Sequence, residues 1–458
     1  MTEAFVIELN DAGIVVAHDG KVLASEPGFA FLDGRNLIVG REAKAKARLS
    51  PQAVSHRFWD TLDQDTLQGE GRWRRTPADV AFEQLTSLWQ AAGAPDAPAV
   101  FLVPATFTRA QLGLILGMSR KAGIRVGGLV DSALAALTSV GEARQVIVID
   151  LTLHRVVGSR FAVDQRVGRS ATAEIDQFGL MDYQRRFAAT LGDVCVRSTR
   201  YDPMHSAGSE QALYDELDVV LAQLHDAEQA QWRADAPGGE LEVVVNRADM
   251  AASVAGLHAQ VDGLIDDLVD PALGEPLVLI SERLDFWPEL GSTLAHNHGG
   301  VRVLPELAAV RGATLDLSTF VQSGESIGLI TERPRRGLSL VSAQPEANVV
   351  KTTPASHILV DQQIYRIESE PFVVGTATTD GQWGHRASGN VKGVSRRHLE
   401  IQRDESRVLL RDLSTYGTWV NGRRVDGQIS VSAGDVVRLG NPGIELRLVQ
   451  EARAHGPA

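Results

Sequence analysis

The run Phe5-Val6-Ile7-Glu8-Leu9, followed by a turn and a second apolar run from Ile14 to Ala17, returns later in the chain as Val146-Ile147-Val148-Ile149-Asp150 leading into Val156 to Val163. Each copy reads as a strand that ends in an acid, a turn, and a return strand. β-Branched residues suit a pleated surface better than a helix. A duplicated strand-acid-turn-strand unit with helical segments between the copies predicts two similar α/β halves facing a cleft. The chain after the second copy fits the same plan, since Leu213, Leu217, Val220, Leu221 and Leu224 share one face at helical spacing among polar neighbours.

The C-terminal part has a different rhythm. Ile358 to Val360, Ile364 to Ile367, Phe372 to Val374, Leu399 to Gln402, Val408 to Asp412 and Val436 to Leu439 are short β-patterned runs separated by turn residues. This spacing predicts an all-β sandwich with loops gathered at one end. Between the two patterns, Thr331 to Ser356 holds Pro334, Pro345 and Pro354 among polar residues without a period, and reads as a linker. The expected organisation is an α/β body over 1–330, a linker over 331–356, a β-domain over 357–450 and a tail over 451–458.

At 458 residues and 44% hydrophobic content the chain can bury real cores, and its formal net charge of −13 disfavours nonspecific nucleic-acid binding. The basic runs Arg72-Trp73-Arg74-Arg75 and Arg333-Pro334-Arg335-Arg336 read as solvated surface. Cys195 is the one cysteine, so no internal disulfide is possible. No apolar run approaches the roughly 18 residues of a membrane span, and Met1-Thr2-Glu3-Ala4 does not open a signal segment. The expectation is a cytoplasmic globular protein without membrane insertion.

Particular stretches of the body resemble the actin-like ATPase superfamily, and within it the seventy-kilodalton heat-shock chaperones. They are Val39-Gly40-Arg41-Glu42-Ala43-Lys44, Val103-Pro104-Ala105-Thr106-Phe107-Thr108, Asp131-Ser132-Ala133-Leu134-Ala135-Ala136, Phe178-Gly179-Leu180-Met181-Asp182 and Pro305 through Ala313. The resemblance implies a two-lobed fold in which Glu8, Asp131, Asp150 and Gly312 occupy a nucleotide site. In such a site glycine-rich turns let backbone N–H groups approach phosphate. Here the turns read Glu8-Leu9-Asn10-Asp11-Ala12-Gly13 and Asp150-Leu151-Thr152-Leu153-His154-Arg155, and Leu279 and Ile280 stand where two further glycines belong. The family's phosphate-contacting lysine falls near Trp59, and no lysine occurs between Lys46 and Lys121. The four acids Glu8, Asp11, Asp131 and Asp150 would then repel a triphosphate. A vestigial site is expected, with the acids as solvated or turn-capping remnants, no catalytic residue and no bound metal. ATP with magnesium is the alternative cofactor.

Near the C-terminus, Gly393-Val394-Ser395-Arg396-Arg397-His398 and Thr415-Tyr416-Gly417-Thr418-Trp419-Val420-Asn421-Gly422 resemble the two signature motifs of the forkhead-associated (FHA) domain, which reads phosphothreonine. The resemblance implies a phosphopeptide site with hydroxyls from Ser395 and Thr415, a cation from Arg396, and a scaffold of Gly375, His398 and Gly417. Two positions depart from the family pattern. Thr376 stands where a phosphate-gripping arginine is usual, and Tyr416 where an asparagine bonds the peptide backbone. Arg386, in the enlarged loop from Ala377 to Val394, is a candidate for the missing guanidinium, which a threonine cannot imitate.

No peptide-binding sandwich with a helical lid follows the body, so protein refolding is not expected. Two functions stay open from sequence. One is a non-catalytic adaptor that docks a protein partner, phosphorylated on threonine or not, through the FHA-like module. The other is a nucleotide switch in which ATP binding to the body alters that docking.

Overall fold

Two six-stranded sheets form the first part of the chain, and both are built around one of the repeated strands. The computed structural model describes residues 4–65, 75–138, 140, 142–236, 239–285, 287, 290–298, 301–322, 326–335, 355–360, 363–378, 383–387, 393–404, 407–420, 423–425, 427–431, 436–440 and 444–449. Contacts divide the chain into two units, Met1–Ala343 and Gln344–Ala458.

In the first sheet Phe5–Glu8 pairs antiparallel with Ile14–His18, which pairs with Lys21–Glu26; on its other side it runs parallel to Pro98–Val103, then Arg125–Asp131. In the second sheet Gln145–Leu151 has the same neighbours in kind. Arg155–Val163 and Arg166–Asp176 lie antiparallel on one side, and Leu277–Ile280 and Val301–Val303 parallel on the other. Parallel neighbours need crossovers, and Arg109–Lys121 supplies one. Its N-terminus is closed by a capping box between Thr108 and Gln111.

Strand periodicity explains why these runs are apolar at nearly every position. Ile7, Ile14, Val16, Phe101 and Val103 enter one core cluster, whereas Val6, Val15, Val100, Leu102 and Val130 enter another. Successive side chains point to opposite faces, so both faces of the sheet are covered. The second sheet repeats this, with Ile147, Ile149, Val278 and Ile280 in one cluster and Val146, Val148, Phe161 and Leu279 in another. Leu213, Leu217, Val220, Leu221 and Leu224 of helix Ala207–Asp226 join the larger of these two clusters, as their spacing predicts.

The expected linker starts too early. Leu329–Ile330 adds to the first sheet beside Arg125–Asp131, and Glu332–Pro334 adds to the second beside Arg166–Gly168, so this segment stitches the two sheets together. Arg333 is buried, donates to Asp316 Oδ2 at 2.6 Å and lies 5.4 Å from the Phe320 ring centre. Pro334 misled the sequence reading because proline is tolerated on an edge strand, where its missing N–H faces no partner. Residues 336–354 lie outside the described residues, as do Arg72 to Arg74 and the tail from 451.

The second unit is an all-β sandwich. One sheet has the order Gln363–Arg366, His357–Val360, Ile444–Val449, Val436–Leu439, Thr418–Val420, Arg423–Arg424; the other has Gly384–Arg386, Phe372–Gly375, Leu399–Asp404, Arg407–Asp412, Gln428–Val431. Ile358, Phe372, Val374, Leu399, Ile401, Leu410, Val437 and Leu448 meet in its core. The domain begins slightly before 357, since Ala355 is buried in this core and the Ser356 N–H donates to the Val449 carbonyl at 2.9 Å. The segment read as one long loop from Ala377 to Val394 contains the strand Gly384–Arg386. Among the described residues no helix is long and apolar enough to cross a membrane.

Candidate functional site

Within the second unit, the residues singled out by sequence meet at one end of the Phe372–Gly375 strand. His398 is the brace. Its Nδ1 accepts from the Ser395 N–H at 2.9 Å, which leaves Nε2 to carry the proton and donate to the Gly417 carbonyl at 2.9 Å. The ring is fully buried, and burial holds its basicity below that of an ordinary histidine, so it stays neutral and keeps this tautomer. Ser395 Oγ accepts from the Thr415 N–H at 3.0 Å, joining the two motif loops directly. Gly417, at φ +89°, makes the turn that a side chain would strain.

Gly375 serves close packing, because a Cβ there would overlap the Arg396 carbonyl. Next to it the Thr376 N–H donates to the Ser395 carbonyl at 3.1 Å, and the Ala377 N–H to the Arg396 carbonyl at 3.0 Å. Arg396 is exposed and has no ion pair among the described residues, whereas neighbouring Arg397 lies 3.7 Å from Glu400. Thr415 and Tyr416 are exposed.

Arg386 reaches this place through a strand that the sequence did not announce. Gly384–Arg386 pairs in parallel with Phe372–Gly375, with Arg386 opposite Gly375. Paired residues of neighbouring strands share a face. The exposed Arg386 side chain therefore leaves the sheet on the face where Gly375 meets the Ser395-Arg396 loop. The Ala387 N–H closes the arrangement by donating to the Gly375 carbonyl at 3.0 Å. Two guanidinium-bearing residues thus flank Thr376, a pattern suited to an anion with several acceptor oxygens. Asn421 and Gly422 lie outside the described residues.

In the first unit Glu8 and Asp150 meet at one guanidinium, whereas Asp131 has partners of its own, and neither Glu8 nor Asp131 is a solvated remnant. Glu8 is 2% exposed and Asp131 fully buried. Asp131 caps helix Ser132–Ala136 by accepting the Leu134 N–H at 3.1 Å, and it is paired with Arg169. The expectation of a site without cations is also corrected. Arg283, from the loop after Leu277–Ile280, donates to Glu8 Oε1 at 3.0 Å and to Asp150 Oδ1 at 3.3 Å, and lies 3.9 Å from Glu282. Burial pushes the Glu8 carboxyl above the usual carboxylate range while Arg283 pulls it back; Glu8 Oε2 has no hydrogen-bond partner among the described residues. Trp59, near the position of the family's lysine, is buried, with its indole N–H on Gln84 Oε1 at 2.8 Å.

The two turns that would face phosphate bond one another instead. Asn10 Nδ2 donates to Asp150 Oδ2 at 3.2 Å and to the Leu151 carbonyl at 2.9 Å, and the Leu153 N–H donates to Asp11 Oδ1 at 2.7 Å. Beside them, a cavity bounded by Glu8, Ser132, Asp150, Ser281, Arg283 and Ala309 has a volume of about 20 Å³. That is room for about one water, against the several hundred Å³ of a nucleotide-sized pocket. A magnesium triphosphate does not fit the residues as they stand. Gly312 has a packing role here, because a Cβ would overlap the Ala135 carbonyl. Among the described residues no three His, Cys, Asp or Glu side chains are grouped to hold a metal ion.

Sequence reasoning missed Arg169 and Arg283, and only the loss of the turn glycines hinted that side chains would fill the space. Against curated proteins the chain has no match. Residues 387–440 match the family model of the FHA domain, and the match lies wholly in the second unit. The second unit therefore carries an FHA domain, a phosphopeptide-binding module for protein–protein interaction.

Proposed function

We propose that the chain is a cytoplasmic, non-catalytic adaptor whose FHA domain docks a threonine-phosphorylated protein partner, carried on a silent body of the actin-like type. The observation that carries this reading is the pairing of Arg386 with Gly375, which sets a guanidinium-bearing residue beside Thr376. Phosphothreonine offers close to two negative charges and three acceptor oxygens, and Arg386, Arg396, Ser395 and Thr415 supply cations and hydroxyls around one end of the sheet. The chemistry lost at position 376 is supplied from a neighbouring strand.

For the body, the common arrangement of five strands in each of the two sheets supports an actin-like fold. Arg283 between Glu8 and Asp150 supports the absence of turnover, because phosphoryl transfer needs those acids free for metal and water. A second set of contacts joins the segment after helix Arg41–Lys44 to helix Ala207–Asp226. Arg48 lies 3.8 Å from the Tyr214 ring centre and 3.7 Å from Glu210, so this contact needs no ligand to bridge the two segments.

The deciding experiment for the FHA domain is capture of partners from lysate before and after phosphatase treatment. Loss of partners after treatment supports phosphate reading. Partners that persist, and that ignore Ser395→Ala and Arg396→Ala, would show docking without phosphate. For the body, a thermal-shift titration with Mg-ATP is expected to give no shift; a micromolar dissociation constant that weakens in Asp150→Ala would favour the nucleotide switch.

A further inference from the structure

Tyr416 is 59% exposed, and its ring meets no other ring and no cation among the described residues. Its backbone is nevertheless fixed on both sides. Thr415 is tied to Ser395 Oγ at 3.0 Å, and Gly417 donates to Ser414 Oγ at 2.7 Å while accepting from His398 at 2.9 Å. A large apolar ring is thus held in water next to the two motif hydroxyls. Such a ring has few rotatable bonds to immobilise on contact, so covering it favours binding with little entropic loss. Exposed tyrosines of this kind dominate many interfaces.

Building on the phosphothreonine reading above, we infer that Tyr416 selects among phosphorylated partners by packing on an apolar side chain close to the phosphothreonine. The reach sets the register. Consecutive Cα atoms lie about 3.8 Å apart, and an extended peptide advances roughly 3.3 Å per residue. A ring one residue from Thr415 therefore meets a partner side chain within about three residues of the phosphate. The face of the ring carries no hydrogen-bonding group, so a contact across it is with an apolar side chain and depends on the partner's sequence. Trp383, the other exposed aromatic near this sheet, precedes the Gly384–Arg386 strand and in the parallel register falls beside Phe372, away from Thr376.

The test uses the full chain and a phosphothreonine peptide library randomised at the four positions on each side, with matched unphosphorylated peptides. Wild-type protein is expected to enrich Leu, Ile, Phe or Tyr at one position within three residues of the phosphothreonine. Tyr416→Ala should weaken the preferred peptide about tenfold and leave unchanged a peptide with glycine at that position. Tyr416→Phe should keep the preference, and so should Trp383→Ala. Phosphate-dependent binding with no apolar preference, or a preference that survives in Tyr416→Ala, overturns the inference and leaves the phosphothreonine reading standing. If no phosphorylated peptide binds better than its unphosphorylated form, the parent reading fails and this inference with it.

Discussion

Arg283 donates to Glu8 Oε1 at 3.0 Å while its other terminal nitrogen lies 3.3 Å from Asp150 Oδ1, so a single guanidinium joins the acids of the central strands of both sheets. A buried ion pair gives uncertain net stability, but removing one partner strands the other in a poorly solvated place.

Arg283→Ala should therefore destabilise the first unit by about 3–5 kcal/mol. Glu8→Gln combined with Arg283→Met should recover part of the loss, because the most deeply buried charge of the group is then removed with its partner, while Asp150 and Glu282 keep some contact with solvent. Denaturant unfolding followed by tryptophan fluorescence measures both. A single variant within about 0.5 kcal/mol of wild type, the usual range for surface changes, would mean that this contact does not hold the sheets together.

Asp11 gives the same region a pH dependence of known sign. Burial raises its carboxyl from 3.8 to about 7 in the folded protein, with Asp60 adding to the rise and the Leu153 N–H opposing it. The proton held by folded Asp11 contributes stability that is complete below the unfolded value of 3.8 and is lost as pH rises through about 7. Nearby His56 works in the opposite sense. Burial lowers it from 6.5 to about 4, with His154, Arg57 and Arg48 adding to the drop, so its contribution is present above pH 6.5 and lost toward pH 4. Asp11→Asn keeps an acceptor for Leu153 and should be more stable than wild type at pH 8 by on the order of 2 kcal/mol, with the difference vanishing near pH 4. Melting curves across that range decide it; parallel curves for the two proteins would refute the assignment.

On the FHA domain, Arg386→Ala and Arg396→Ala should each weaken a phosphothreonine peptide by roughly 1.5–3 kcal/mol, the cost of one charge-assisted hydrogen bond. Arg386→Lys should restore only part of the loss, because an ammonium lacks the planar fork. Calorimetry at two salt concentrations gives the numbers. Arg386→Ala without effect beside a damaged Arg396→Ala would confine the phosphate to the Ser395 loop.

Gly375→Ala and His398→Ala should damage the same loops by different routes. The first pushes a Cβ into the Arg396 carbonyl, and the second leaves the Ser395 N–H without its acceptor, at about 1–3 kcal/mol, and takes one of two donors from the Gly417 carbonyl, which keeps the Gly440 N–H at 3.0 Å. Both should lower the melting temperature of the isolated fragment 344–458, which has its own core and is expected to unfold cooperatively. Unchanged melting in His398→Ala would contradict the bracing role.

Much of this was legible in order along the chain. The repeated strand-acid-turn-strand units predicted paired halves because burial on both faces of a sheet leaves nearly continuous apolar runs, and the body shows two sheets alike in five of their six strands, the sixth lying on opposite edges. Ser395, His398, Thr415 and Gly417 were recognisable because the two motifs are short and locally spaced. The strand Gly384–Arg386 was not legible: three residues carry too little pattern, and the partner strand fixes them in place.

The tertiary structure alone decided the charges. Nothing near Arg283 in sequence announces that it will lie between Glu8 and Asp150, or that Arg169 will meet Asp131, since these pairs join distant segments whose meeting depends on how the sheets come together. The sequence by itself determined which acids and hydroxyls are present and which glycines are missing. Whether the acids of the body stand open to a metal-bound triphosphate or closed over the chain's own guanidinium is set by packing in three dimensions, because a Coulomb interaction depends on distance and burial and not on separation along the chain.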